Sequence, residues 1–280
     1  MYWFRRLIIK FSVYVCLSIF LLSSANAYVL RGEHVLQLMI KKNNFPVRLF
    51  VNQQISFFDP GVEAINTAYE QTVRYRIPEA FRSDIDAYGL KRIHVVSSGN
   101  PLTVIDGRVV AESEAWTDHY KDIFFYRSRK RLVEKLETLG INFFVTSLGR
   151  YNGVICYVLG AQYPDETVPQ LWVVKESFQP VRWIFNVSDA QGVVEQKEIR
   201  YGDWKNYNNS RYPSKIEFYQ GQRLIQRIAV LQVEINPSFS EALFDIEQLK
   251  IFYSTGREET DSAYQNDIEK RIEEFKKIYE

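Results

Sequence analysis

The sequence has few of the residues that usually carry chemistry. It contains two cysteines and three histidines in 280 residues. Cys16 lies in an apolar N-terminal run, so the chain beyond that run has only Cys156 and cannot form an internal disulfide. His34, His94 and His119 occur in no metal-binding spacing such as HExxH. We therefore expect no metal and no cofactor.

Signature motifs of several enzyme and nucleotide-binding families are missing as well, since the sequence has no GxSxG elbow, no P-loop and no GxGxxG. Asp84 and Asp86 alternate along one predicted strand and could act as paired carboxylates, although solvated strand positions explain them better. Aromatic and basic residues mix over 201–215, which could stack on a nucleic acid or a glycan, although an exposed loop explains them too. The net charge of +1 disfavours nucleic acid. We predict no catalytic residue and no nucleic-acid partner.

The first 27 residues have the three parts of a secretory signal peptide. Arg5, Arg6 and Lys10 are basic, residues 11–22 are apolar, and Ala25-Asn26-Ala27 supplies the small residues of a cleavage site. An uncleaved anchor is the alternative, but the apolar run is short for a span of about 20 residues. Cleavage predicts a periplasmic protein, and the loss of three cations changes its net charge from +1 to −2.

The remaining chain reads mostly as short β-strands. Apolar and polar residues alternate over 47–57, and Asp106-Gly107 suits the type I′ turn of a hairpin. We count about twelve strands, and a sheet of that size must curl, split or close. Helices are predicted over 31–42, 118–139 and 261–279, and the last has one apolar stripe on a charged helix. That stripe packs on the protein's own sheet or binds a partner.

Several predicted strands carry apolar side chains on both faces. A sheet with one solvated face would carry polar side chains on that face. A sheet curled around its own concave face and covered by helices would bury both sides, and an unfilled concavity would be a hydrophobic cavity. Alternate residues along each predicted strand share a face, and this gives the candidate cavity-lining, ligand-binding residues: Val51, Phe57, Val181, Trp183, Phe185, Ile225 and Leu231.

A series of short motifs resembles one known family. In order they are RIPEAFRSD over 76–84, VIDGR over 104–108, GVICYVLG over 153–160, QLWVVK over 170–175 and YGDW over 201–204. This order is similar to that of the periplasmic outer-membrane lipoprotein-sorting family, the Lol-type carriers and their relatives. The match spans about 45–245, and its weight comes from the order of the motifs.

The resemblance implies a mainly β, α+β fold: a curled antiparallel sheet that forms an unclosed β-barrel with a helical lid, here with an added C-terminal helix. It implies a cavity for acyl chains of lipoproteins or other lipids, no cofactor and no reaction. In the family an arginine contacts the lid and gates the cavity, and Arg76, two residues before Pro78, is the nearest match here. The expected domains are a signal peptide over 1–27, a half-open barrel domain with helices over 28–250, and an amphipathic helix over 251–280.

Two functions follow as hypotheses. The first is a periplasmic carrier or chaperone that binds lipid or lipoprotein acyl chains and delivers them towards the outer membrane, with a membrane-anchored donor or acceptor protein as partner. The alternative is a non-carrier, an envelope-stress sensor or assembly adaptor, that uses the same half-barrel and the C-terminal helix.

Overall fold

The computed structural model describes residues 29–58, 68–87, 89–188 and 192–255, with 269–270, 272–273 and 275–276. The predicted signal peptide, 1–27, lies outside these residues. Most of the predicted helix 261–279 lies outside them too, and its described residues are helical. The sheet and the helices belong to the unit that starts at Arg31.

Thirteen strands form one antiparallel sheet among the described residues. They are β1 Arg48–Phe57, β2 Ala68–Arg76, β3 Ala80–Ala87, β4 Leu90–Ser97, β5 Asn100–Ile105, β6 Arg108–Ala111, β7 Thr146–Tyr151, β8 Val154–Leu159, β9 Gln170–Val174, β10 Pro180–Ser188, β11 Val194–Tyr207, β12 Ser210–Gln220 and β13 Arg223–Ile235. The order runs from β6 down to β1, then from β13 down to β7. Because β1 pairs with β13 while β6 and β7 are the two edges, the barrel is unclosed, which confirms the predicted fold class.

Besides the helical residues between 269 and 276, the described part of the chain has four α-helices: α1 Gly32–Asn43, α2 Asp122–Phe125, α3 Arg129–Thr138 and α4 Ile246–Thr255. Two 3-10 helices, Trp116–Lys121 and Glu241–Phe244, precede α2 and α4. The prediction of one helix over 118–139 is wrong, because Tyr126 and Ser128 are extended and separate a buried helix from an exposed one. No helix among the described residues is both long enough and apolar enough to cross a bilayer.

Residues 116–125 run through the interior, and we call them the inner segment. We call the sheet face that packs on them the inner face. In β1 the side chains alternate between half-buried and buried along all ten residues, as the sequence period predicts. Val51 pairs with Val73, then Ser83, then His94 across the next strands, and directly opposed residues share a face. This row belongs to the inner face.

The outer face has its own cover, which explains why the strands are apolar on both sides. Over β4 and β5, four buried aliphatic residues pack against Ile246, with Leu249 and Tyr253 of α4 around them: Ile93, Val95, Leu102 and Val104. Over β8 and β9, Cys156, Val158, Ala161 and Trp172 form a second cluster. Burial raises the pKa of the Cys156 thiol to about 11, so this thiol is an unreactive core group.

Candidate functional site

The inner segment is the centre of the candidate site. All ten of its residues are buried, although Asp118, His119, Lys121 and Asp122 are ionisable. Buried charges are stable only when each finds a partner. The partners of these four side chains therefore show what holds the inner segment in the sheet.

Arg92 of β4 binds Asp118 in a bidentate ion pair. Its Nη2 lies 2.7 Å from Oδ2 and its Nη1 lies 3.2 Å from Oδ1, with the two side chains 1% and 3% exposed. Burial raises the pKa of Asp118, but the Arg92 guanidinium outweighs it and the net pKa is lowered. Asp118 is therefore a carboxylate, and the pair joins the inner segment to the first half of the sheet.

A second group of charges lies beside this pair. Lys121 Nζ contacts Glu114 and lies 3.1 Å from Asp122 Oδ1, while Lys135 Nζ of α3 lies 2.8 Å from Glu114 Oε2. Burial opposes ionisation of Lys121, but Asp122 and Glu114 outweigh it and raise its pKa. Burial likewise raises the pKa of Glu114, but Lys121 and the neighbouring basic side chains together outweigh burial and lower that pKa. Two ammonium groups and two carboxylates thus neutralise one another.

His94 of β4 completes this network without a charge. Its Nδ1 lies 2.9 Å from Thr103 Oγ1 of β5, and the ring is fully buried. Burial lowers the pKa of His94, outweighing the nearby Asp118, so the imidazole is neutral near pH 7. His119 lies with Nδ1 2.9 Å from Asp122 Oδ2. Both buried histidines are thus held in hydrogen bonds.

Glu114, His119 and Asp122 bring their ligand atoms within 4.8 Å of one another, a spacing that a divalent cation could bridge. The two carboxylates already contact the ammonium groups of Lys121 and Lys135. A cation at this point would face two fixed positive charges. The donor set therefore fits an ion-pair network better than a metal site.

Aromatic packing holds the other side of the inner segment. The Trp116 ring lies 6.1 Å from Phe185 and 5.9 Å from Phe218, between centroids. Phe124 lies 5.5 Å from Tyr201 and 5.1 Å from Tyr212 in the same way. Since β10, β11 and β12 supply these rings, the second half of the sheet contacts the inner segment mainly through apolar surface.

Four of the seven predicted cavity-lining residues lie on the inner face. Trp183 and Phe185 are buried side by side, 5.2 Å between centroids, and Phe185 touches Trp116. Val51 and Phe57 are buried on the same face of β1. Side chains of the inner segment fill the space in front of Phe185, so the structure shows a packed interior at this point.

The other three predicted residues are each the extra residue of a β-bulge. Val181, Ile225 and Leu231 are skipped in the pairing of β10 with β9, β13 with β12 and β13 with β1. Val181 packs on the Trp172 side, on the outer face. Ile225 is half-buried, and Leu231 is 56% exposed. A bulge changes which face the next side chain takes, and sequence periodicity does not reveal where a bulge occurs.

Arg76 lies away from the inner segment, at the end of β2. It forms ion pairs with Glu79 (3.8 Å) and Glu241, and its guanidinium lies 5.3 Å over the Phe244 ring. It lines a pocket of about 570 Å³ between the sheet and the segment 241–250, together with Ser97, Asn100, Glu112 and Lys250, among others. The structure thus places Arg76 against the C-terminal segment, and its predicted gating role stays a prediction.

The charged network was missed by sequence reasoning. Its signal was the pair Arg92 and His94, which alternate on a strand, with the charged run Asp118–Asp122 about two dozen residues later. Both patterns are typical of solvated faces, so only the tertiary structure shows that they face one another.

Comparisons with known proteins show what the fold resembles. No family model matches the sequence, and no curated protein matches it. Among solved structures, a LolA superfamily protein from Nitrosomonas europaea is 14% identical with a TM-score of 0.54, covering 78% of this chain and 99% of its own. An outer-membrane lipoprotein-sorting protein domain from Vibrio parahaemolyticus is 12% identical, TM-score 0.53, covering 78% and 98%. A DUF1329 family protein from Desulfovibrio piger is 12% identical, TM-score 0.54, covering 78% and 97%. The predicted resemblance is confirmed as a likeness of fold.

Proposed function

We propose that this protein is a periplasmic carrier that binds the acyl chains of a lipid or lipoprotein on the inner face and delivers them towards the outer membrane. The observation that carries the proposal is the apolar half of the inner face, where Phe185 and Phe218 pack ring to ring against Trp116 of the inner segment. The likeness of fold to lipoprotein-sorting proteins supports it. Export through the predicted signal peptide is part of the same proposal.

Binding in this proposal is an exchange of apolar contacts. The inner segment moves, and an acyl chain replaces Trp116 and Phe124 against the rings of the second half. Each buried CH₂ of the acyl chain contributes about 0.8 kcal/mol. The acyl chain can also leave by the same route, since its binding involves no covalent step and no cofactor. Delivery then requires a membrane-anchored donor or acceptor protein.

The first experiment looks for bound lipid. Protein purified after export is examined by native mass spectrometry and by organic extraction, and uptake of a fluorescent acyl probe is measured. We expect bound acyl lipid or probe uptake. Absence of both would rule out the carrier.

A pair of aromatic truncations tests the location. Trp116→Ala removes a ring that covers Phe185 and Phe218, so we expect tighter binding of the acyl probe. Phe144→Ala is the matched control, because the Phe144 side chain is 99% exposed. If both substitutions change the affinity for the acyl probe equally, the probe binds at another place.

The second candidate is the non-carrier adaptor, which one observation favours. The pocket beside Arg76 is formed by the segment 241–250, and Arg108 of β6 lies 3.4 Å from Glu269 further along the C-terminal part of the chain. That part therefore touches the first half of the sheet. Deletion of residues 256–280 distinguishes the candidates. If the deletion removes a co-purifying protein and leaves uptake of the acyl probe intact, the adaptor is favoured. If the same proteins still co-purify, the carrier is favoured.

A further inference from the structure

Basic residues gather where three segments of the fold meet. The segments are 40–48, from the end of α1 into β1; 126–133, from the end of α2 into α3; and 204–212, around the turn between β11 and β12. Together they contain no Asp or Glu and nine cations: Lys41, Lys42, Arg48, Arg127, Arg129, Lys130, Arg131, Lys205 and Arg211. The whole chain has 35 basic and 34 acidic residues, so this concentration is strongly uneven.

Hydrogen bonds hold the three segments together. Asn44 Nδ2 donates to the Asn209 carbonyl (3.4 Å), and Ser210 Oγ donates to the Asn44 carbonyl (2.8 Å). Arg127 Nη1 donates to the Pro46 carbonyl (3.5 Å), and its guanidinium lies 5.9 Å over the Phe45 ring. The nine cations therefore lie on three adjoining segments, and we call these segments together the basic pole.

Nearby carboxylates neutralise little of this charge. Lys130 lies 3.9 Å from Glu134, and both side chains are more than half exposed, so the pair is weak. Arg48 lies 4.0 Å from Glu241. A fourth loop reaches the pole where Asn43 Nδ2 donates to the Phe178 carbonyl, and it carries one cation and one anion, at 175 and 176. The pole keeps a net positive charge.

Apolar and aromatic side chains lie among these cations. Val47 is 64% exposed, one residue after Pro46. Tyr126, Trp204 and Tyr207 are half-buried in the same segments. Cations mixed with partly exposed apolar and aromatic rings are typical of surfaces that adsorb to anionic lipid headgroups.

We propose that the basic pole docks this protein onto the surface of an anionic phospholipid membrane. Its cations extend from three separate segments on long side chains, and a field of headgroup phosphates attracts all of them without a fixed spacing. The docking does not depend on lipid cargo in the interior. Because Arg127 follows the inner segment by two residues, docking brings the end of that segment to the membrane.

The test measures binding of the exported protein to vesicles by co-sedimentation. The vesicles are either phosphatidylcholine alone or equal parts of phosphatidylethanolamine and phosphatidylglycerol. The pole variant carries Arg129→Glu, Lys130→Glu and Arg131→Glu, which suit the first turn of α3, where acidic residues are favourable. The control variant carries Lys91→Glu, Arg150→Glu and Arg223→Glu, exposed cations outside the three segments, and has the same net charge. Circular dichroism checks that each variant folds.

We expect the unmodified protein and the control variant to bind the anionic vesicles and to bind phosphatidylcholine weakly. The pole variant should bind at least tenfold more weakly, because each cation near an anionic surface contributes about fivefold in affinity. Added salt should weaken the binding, since screening shortens the reach of exposed charges. Equal losses in both variants, or no binding of the unmodified protein to anionic vesicles, would overturn the proposal. Binding to poly-glutamate without binding to vesicles would overturn it too, because the partner would then be an acidic protein.

Discussion

The two halves of the sheet hold the same inner segment by different chemistry. On the first half, β1–β6, the main attachments are polar: Arg92 of β4 pairs with Asp118 through two hydrogen bonds. On the second half, β7–β13, they are aromatic, with Trp116 against Phe185 and Phe218. Ion pairs and hydrogen bonds have strict geometry, whereas apolar contact depends mainly on buried area.

This difference explains how an interior filled by side chains could still bind an acyl chain in the proposed carrier. Acyl chains can replace aromatic rings against the second half at little loss, because both are apolar. They cannot replace Asp118 against Arg92, since a buried guanidinium without a partner is costly. In the proposed carrier the first half therefore keeps hold of the inner segment while the second half exchanges contacts with cargo.

The largest effect should come from breaking the polar attachment. Asp118→Leu keeps a side chain of similar size but removes the carboxylate that neutralises the buried Arg92 guanidinium. We expect a loss of about 3–5 kcal/mol in the free energy of unfolding, the usual cost of removing one partner of a buried pair. Urea denaturation followed by tryptophan fluorescence measures it.

The double variant Arg92→Met with Asp118→Leu is the control for this prediction. Removing both charges leaves no buried charge without its counter-ion, so the double variant should recover most of the loss. If it is as unstable as Asp118→Leu alone, the shape of the pair matters and its charge does not.

The fold was largely predictable from sequence, and the site only partly. Alternation over 47–57 predicts the inner face of β1, and the number of strands with the order of motifs predicts an unclosed barrel. The inner face of the remaining strands depends on bulges, and Val181, Ile225 and Leu231 each lie at one. Pairing between distant strands decides where a bulge forms, and the local sequence does not contain that information.

The sequence did not predict the buried ion pairs of the interior for a related reason. Arg92 and Asp118 look like solvated residues on a strand and on a helix, and only the folded chain brings them within 2.7 Å. The break in the helix after Phe125 follows the same logic. The four residues of α2 are all buried, so the inner segment must leave the interior before α3 begins, which buries only Leu132 and Leu136.

A matched pair of small substitutions sharpens the comparison between the halves. Thr103→Val removes the hydroxyl partner of His94 Nδ1 on the first half, and we expect a loss of about 1–3 kcal/mol in the free energy of unfolding. Ile199→Val removes one methylene from a fully buried side chain on the second half, with an expected loss of about 0.5–1.5 kcal/mol. The same denaturation assay compares them. A larger loss for Ile199→Val would show that this buried hydrogen bond on the first half contributes less than one buried methylene on the second half.

The smallest effect is a pH dependence that belongs to the first half. Burial lowers the pKa of His94 below its ordinary value of 6.5, so the unfolded chain takes up the proton more readily. Stability is therefore full above pH 6.5 and falls as the pH drops below it, by at most about 0.7 kcal/mol between pH 7 and pH 6. Asp118, whose pKa is also lowered, adds a loss of the same sign at more acidic pH. Urea midpoints measured at several pH values test this, with His34→Gln as the control because His34 is exposed. Stability that is constant or rises as the pH falls from 7 to 6 would mean that His94 is already protonated in the fold, and the first half would then hold the inner segment by one more charge.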